Sequence, residues 1–234
     1  MMVCRSIIFS IYIFVTVATA TNFSDRNSLK GSDPEVTVHR FKTGNTESST
    51  VERGQEVNET TAVLLQTPSE ARNLSQEEKN RRLIQAAKEG AIGDLQALLA
   101  SGADVRARDS DLEWTALHWA AFWGHVEVVR WLVGAGAEVD ARNDYEATPL
   151  HFAAGSDRVA VVRVLTASSA DPNAKDDEEQ TPLHWAAERG YADTVRALLE
   201  AGADKEARDV RGSSPLDLAR ANDHQQLVDI LRSS

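Results

Sequence analysis

Three histidines, His118, His151 and His184, stand 33 residues apart, each closing a related tetrapeptide: Thr115-Ala116-Leu117-His118, Thr148-Pro149-Leu150-His151 and Thr181-Pro182-Leu183-His184. Imidazole is a common metal ligand and titrates near neutral pH. A metal site or a proton-transfer centre is therefore the first chemistry to weigh. The spacing argues against a shared metal. Equivalent positions in stacked helical units lie roughly 8–10 Å apart, whereas ligands gather at roughly 2 Å from one ion. Gly134-Ala135-Gly136 carries two glycines of a phosphate loop, but it follows a helical stretch and lacks the third glycine, so it reads as a helix C-cap. The sequence contains no His-Glu-x-x-His, Gly-x-Ser-x-Gly or Walker pattern. The expectation is a protein without catalytic site, metal or cofactor.

The elements that hold these histidines repeat with them. Ser214-Pro215-Leu216-Asp217 falls on the same register, and 33 residues before Thr115 lies Arg82, followed by Leu83-Ile84-Gln85-Ala86-Ala87-Lys88-Glu89-Gly90. Each unit then has a second apolar run, such as Val126, Val128, Val129, Leu132 and Val133. Most runs end in a Gly-Ala pair: Gly102-Ala103, Gly136-Ala137 and Gly202-Ala203. Thr before Pro is an N-cap followed by Pro in the first helical position. Glycine after the second run supplies a left-handed C-cap. Each unit therefore reads as two short antiparallel helices and a turn. Alanine pairs such as Ala120-Ala121 let neighbouring helices approach closely. A unit this small cannot bury its apolar face alone; stacking supplies the core, without disulfides.

The Thr-Pro-Leu-His-x-Ala-Ala-x-x-Gly core, the period of 33 and the Gly-Ala-Asp ending resemble ankyrin repeats over residues 75–234. The resemblance implies an all-α solenoid of about five units, near 78–109, 110–142, 143–175, 176–208 and 209–234, with the first and last acting as caps. Two departures stand out. Where the family has glycine at the hairpin tip, this chain has Glu113, Glu146 and Glu179, and only Gly212 conforms. The third unit has Asp157 and Ser169 at its two helix-end glycine positions and also carries Pro172, so it is expected to be the least regular.

Ankyrin proteins bind partners on the concave face made by hairpin tips and first-helix ends. The resemblance therefore points to Asp111, Leu112, Trp114, Asp144, Tyr145, Asp177, Glu178 and Arg211 at the tips. At the helix ends it points to Lys88, Glu89, Phe122, Trp123, Glu188 and Arg189. Trp114, Phe122, Trp123 and Tyr145 are expected to be solvated, and such aromatics are frequent binding hot spots. Trp119, Phe152 and Trp185 are expected in the core. Asp111, Asp144 and Asp177 stack in register, as do Glu113, Glu146 and Glu179. This acidic ridge suits a protein partner with a basic or mixed apolar and basic surface, though charge kept for solubility explains any single residue as well.

The formal net charge is −11 and the pI about 5.0. That balance argues against nucleic acid, which is bound through Lys and Arg on phosphates, and against anionic membranes. The start of the chain reads as a secretory signal: Arg5, an apolar run from Ile7 to Val17, and Ala18-Thr19-Ala20 as a cleavage site. The run is shorter than the roughly 20 residues of a membrane span. Cleavage would remove Cys4, the single cysteine, and leave a monomer without thiol or membrane span. Residues 21–74 are rich in Ser, Thr, Asn and Glu and show no apolar period, so they read as a disordered spacer. Three sequons, at Asn22, Asn58 and Asn73, are candidate glycosylation sites.

Signal, spacer and C-terminal binding domain together resemble the secreted effectors of plant-pathogenic oomycetes, which carry Arg-x-Leu-Arg and Glu-Glu-Arg motifs before the effector domain. Here Arg72-Asn73-Leu74-Ser75 precedes Glu77-Glu78-Lys79, with Ser75 and Lys79 in place of the final arginines. The same stretch also fits a helix capping box, Ser75 with Glu78 three residues on. Two destinations stay open: delivery into a host cell, or service as a glycosylated extracellular or lumenal binding protein.

Overall fold

The computed structural model describes residues 74–233. The signal and spacer, Arg72 and the sequons at Asn22, Asn58 and Asn73 lie outside them. Ten helices occur among the described residues: α1 Gln76–Glu89, α2 Ile92–Ala100, α3 Ala116–Trp123, α4 Val126–Gly134, α5 Pro149–Gly155, α6 Val159–Ala167, α7 Pro182–Arg189, α8 Ala192–Glu200, α9 Pro215–Ala221 and α10 Gln225–Ser233. No extended strand accompanies them there; Arg108 and Thr115 form an isolated bridge. None of these helices is long and apolar enough to cross a membrane.

The helices pair as the repeat dictates. α1, α3, α5, α7 and α9 stack into one layer and α2, α4, α6, α8 and α10 into a second. Leu117, Leu150 and Leu183 sit at the same register and are fully buried between layers with Leu132, Leu165 and Leu198. Ala120-Ala121, Ala153-Ala154 and Ala186-Ala187 are inaccessible to solvent, so the first helices pack through their smallest side chains.

Hydrogen bonds fix the start of each first helix. The Thr115 backbone N–H donates to His118 Nδ1 at 3.1 Å, and Thr115 Oγ1 accepts the His118 N–H at 3.4 Å. Thr148 with His151 and Thr181 with His184 repeat the backbone-to-ring bond at 3.1 Å. At the chain's entry, Ser75 Oγ accepts the Glu78 N–H at 3.2 Å. The Glu78 carboxylate turns to Arg81 and to Arg82 instead of back to the cap. Leu74 packs against the core, while Glu77 is exposed in the first turn.

The third unit departs from its neighbours only locally: α5 ends one residue earlier than α3 and α7 and is not capped by a left-handed glycine. Asp157 and Ser169 take φ of 56° and 68° where glycine stands elsewhere. The backbone closures survive: Arg158 N–H to Ala153 O at 2.9 Å and Ala170 N–H to Leu165 O at 3.0 Å. Asp157 Oδ1 also accepts the Thr194 hydroxyl at 2.8 Å. Stacking on both sides imposes the left-handed turn on residues that do not favour it.

Candidate protein-interaction face

Each hairpin tip is built on an Asp or Asn, buried at Asn143, Asp176 and Asp209 and half-buried at Asp109. Asp109 Oδ1 accepts the N–H groups of Leu112 and Trp114 at 3.2 and 3.1 Å. Asn143 Oδ1 accepts those of Tyr145 and Ala147, Asp176 Oδ1 those of Glu178 and Gln180, and Asp209 Oδ1 those of Arg211 and Ser213. Buried backbone donors need partners, and this side chain supplies two per tip. The sequence reading missed the row. Its signal was there: Asp or Asn recurs five residues before Thr148, Thr181 and Ser214, and six before Thr115. The first tip is thus one residue longer.

Successive tips join through their backbones. Asp144 N–H donates to Leu112 O, Asp177 N–H to Tyr145 O, and Val210 N–H to Glu178 O, at 3.4, 3.0 and 3.0 Å. Glu113, Glu146 and Glu179 all have φ of 56°, and Gly212 has 77°, so the glutamates adopt the turn that glycine adopts in the last tip. Left-handed backbone costs about 1 kcal/mol or more for a residue with a Cβ.

The expected acidic ridge is only half there. Glu146 pairs with Arg142 at 3.1 Å, Glu179 with Lys175 at 3.0 Å, and Glu113 lies 3.8 Å from Arg108. These cations form their own row, and Arg108 and Arg142 each reach a backbone carbonyl of the next unit, at Arg142 and Lys175. Glu178 pairs with Arg211 at 3.3 Å. Asp111, Asp144 and Asp177 are exposed. In the last tip their register is taken by Val210, 57% exposed.

Two of the aromatic expectations are reversed. Trp114 is 2% exposed and Phe122 is 5% exposed, so neither is a solvated anchor. Trp114 stands just before Thr115, where the other units have Ala147, Gln180 and Ser213. Its ring lies 4.4 Å from Trp119 and 4.1 Å from Phe152 of the next unit, between centroids. Phe152 and Trp185 are buried as expected, but Trp119 is only partly so. Trp123, edge-on to Phe122 at 5.2 Å, and Tyr145 and Leu112 are partly exposed. At the first-helix ends Glu89 is exposed; Lys88, Glu188 and Arg189 are half-buried, and Arg189 donates to Gly155 O at 2.6 Å. On the second-helix side Trp131, which the sequence reading did not single out, is 47% exposed beside Leu99 and Ala100.

The histidines are spent inside the fold. His118 Nε2 donates to Ala147 O, His151 Nε2 to Gln180 O and His184 Nε2 to Ser213 O, at 3.0–3.1 Å. With Nδ1 receiving a backbone N–H, each ring is the neutral Nε2–H tautomer. Burial lowers all three pKa values, to about 4 for His118 and about 3 for His151. In the last unit Asp217 makes the local bonds to Ser214 at 2.7 and 3.1 Å.

Trp119 and Trp185 each donate Nε1–H to the second oxygen of the tip carboxylate, Asp109 and Asp176, at 2.9 Å. Burial raises Asp176 to about 6. Where Phe152 replaces the indole, Asn143 replaces the carboxylate, and its Nδ2 is buried without a hydrogen-bond partner.

Comparison with known proteins agrees with this architecture. Residues 83–176 match a family model of ankyrin repeats in three copies, and residues 164–219 match a second one of many copies. A 65-residue stretch, 28% of this chain, is 42% identical to ankyrin repeat domain-containing protein 40 of Mus musculus and of Homo sapiens, covering 18% of that protein. A 62-residue stretch, 26% of the chain, is 37% identical to protein phosphatase 1 regulatory subunit 27 of Homo sapiens, covering 40% of it. The chain thus matches less than half the length of these relatives.

Proposed function

Since residues 83–219 make this chain an ankyrin-repeat protein, we propose that it is a secreted, non-catalytic module that binds a protein partner on its tips and first-helix ends. One observation carries the choice of face. The tips are joined by backbone hydrogen bonds into a single ladder, so Asp111, Asp144, Asp177 and Val210 are displayed at fixed spacing. A preorganised surface lowers the ordering cost of binding. Protein phosphatase 1 regulatory subunit 27 is by its name a subunit of a protein assembly, which supports a protein as the kind of partner. The exposed carboxylates favour basic groups on it, with an apolar contact at Val210.

Secretion rests on the pattern from Met1 to Ala20, and delivery into a host cell on the Arg72 to Lys79 stretch and the absence of cysteine after Cys4. The competing destination is lumenal or extracellular, with sugars at Asn22, Asn58 and Asn73. Proximity labelling with Thr21–Ser234, expressed in a host-type cytosol and in a secretory lumen, separates them. The variant to compare is Asp144→Lys with Trp123→Ala, since both residues are accessible. Cytosolic partners lost in the variant are expected. Partners found only in the lumen overturn delivery, and partners indifferent to the variant overturn the assigned face.

A further inference from the structure

The partly buried Trp119 has an occupant on its ring. The Lys88 ammonium lies 4.0 Å above its ring. A cation over an indole is attracted by the ring's negative face. Lys88, the last residue but one of α1, holds the register that Phe122, Gly155 and Glu188 hold in the following units. At Gly155 the backbone itself lies on the equivalent indole: a Cβ there would stand 2.8 Å from Trp185. Trp185 is accordingly covered by main chain, whereas Trp119 is covered by a flexible side chain that can leave. Asp109, held on the indole N–H, and exposed Asp111 both favour the Lys88 charge, yet burial still lowers its pKa. The ammonium is therefore partly stripped of water where it sits.

Beside this ring runs a groove of about 500 Å³ between α1 and the longer first tip, lined by Ile84, Gln85, Lys88, Arg108, Asp109 and Ser110 among others. Lys88 forms part of its wall.

We infer that the face of Trp119 is a subsite for a basic side chain of the protein partner, arginine or lysine, and that Lys88 occupies it until the partner displaces it. This rests on the protein-binding reading above and specifies its chemistry. The aromatic face and the carboxylates of Asp109 and Asp111 supply what a cation needs, and Lys88 shows one seated there. Binding exchanges one cation for another, so the free protein holds the site shut against neutral side chains, and the net affinity for any single arginine is modest.

The test is a titration of Thr21–Ser234, followed by tryptophan fluorescence, with blocked tripeptides Gly-Arg-Gly, Gly-Lys-Gly and Gly-Gln-Gly. Lys88→Met keeps the stem and removes the charge; Lys88→Ala removes both. Either variant is expected to bind the arginine peptide about fivefold more tightly than wild type. Asp111→Asn is expected to weaken that binding, and Trp119→Leu in the Lys88→Met background to abolish it, with the helical circular dichroism retained. Unchanged affinity in both Lys88 variants, or equal binding of the glutamine peptide, overturns the inference. If partner capture is lost on changing Asp144 and Trp123 while the arginine peptide ignores Lys88, this subsite falls and the binding face stands. If the peptide results hold while no protein partner is captured, the reverse is true.

Discussion

His118 Nε2 lies 3.1 Å from the carbonyl oxygen of Ala147, in the next unit, while its Nδ1 receives the Thr115 N–H of its own. Each histidine therefore ties two units together, which explains why Asp217 suffices in the last described unit: its partners are local, on Ser214.

The consequence is a steep acid limit. His118 and His151 titrate near 4 and 3 when folded, against 6.5 ordinarily, and His184 is lowered too. In that interval the unfolded chain binds more protons at these histidines, so their contribution to stability is complete above pH 6.5 and is lost as pH falls. Each such histidine contributes a slope of up to about 1.4 kcal/mol per pH unit. The thermal midpoint is expected to drop sharply between pH 7 and 5, and more shallowly in His151→Asn, which is less stable at pH 7.

Asp176 works in the opposite direction. Its carboxyl is raised from 3.8 to about 6, so the folded state holds the proton more tightly and this group's contribution falls as pH rises through that window. Asp176→Asn should make the acid loss steeper, because it removes the one opposing term among these four. Melting curves at half-unit pH steps between 4.5 and 7 measure it.

Trp185 and Asp176 should be coupled. Trp185→Phe alone strands a buried carboxylate oxygen and is expected to cost about 1–3 kcal/mol. Adding Asp176→Asn recreates the Asn143 and Phe152 combination of the unit before. The double variant is expected to recover part of the loss, with a coupling energy of about 0.5 kcal/mol or more in a double-mutant cycle. Additive losses would show that the indole–carboxylate bond contributes little.

The tip glutamates offer a gain. Glu146→Gly and Glu179→Gly relieve left-handed backbone and lose only exposed ion pairs, which contribute little. Each is expected to stabilise by about 0.5–1 kcal/mol in denaturant unfolding. Asp157→Gly should gain less, since it also removes the bond from Thr194.

Trp114 and Trp123 should separate stability from binding. Trp114→Ala opens a cavity beside Trp119 and Phe152 and is expected to cost about 3 kcal/mol or more. Trp123→Ala, at a part-exposed position, should cost under about 1 kcal/mol. A partner lost only with Trp114→Ala would report damage to the fold.

The periodic residues determined the architecture by themselves. Thr-Pro-Leu-His, the alanine pairs and the second-helix apolar runs specify caps, helix lengths and buried faces through contacts within a unit and with the next one. The glutamates at the tips were legible as departures, but not their conformation. Glu146 and Glu179 take the glycine turn between tips that hold the backbone on either side, and Glu113 takes it with such a neighbour on one side.

The site was less legible, for a physical reason. Trp114 and Trp119 are the same residue type five positions apart, and neither local period nor spacing says which is buried. What lies over each ring comes from another unit: Phe152 against Trp114, Lys88 above Trp119, Gly155 beneath Trp185. The size and charge of that neighbour set the exposure. The repeat pattern alone specifies that units of this kind stack; the neighbour met at each stacking step sets which aromatic face is left open.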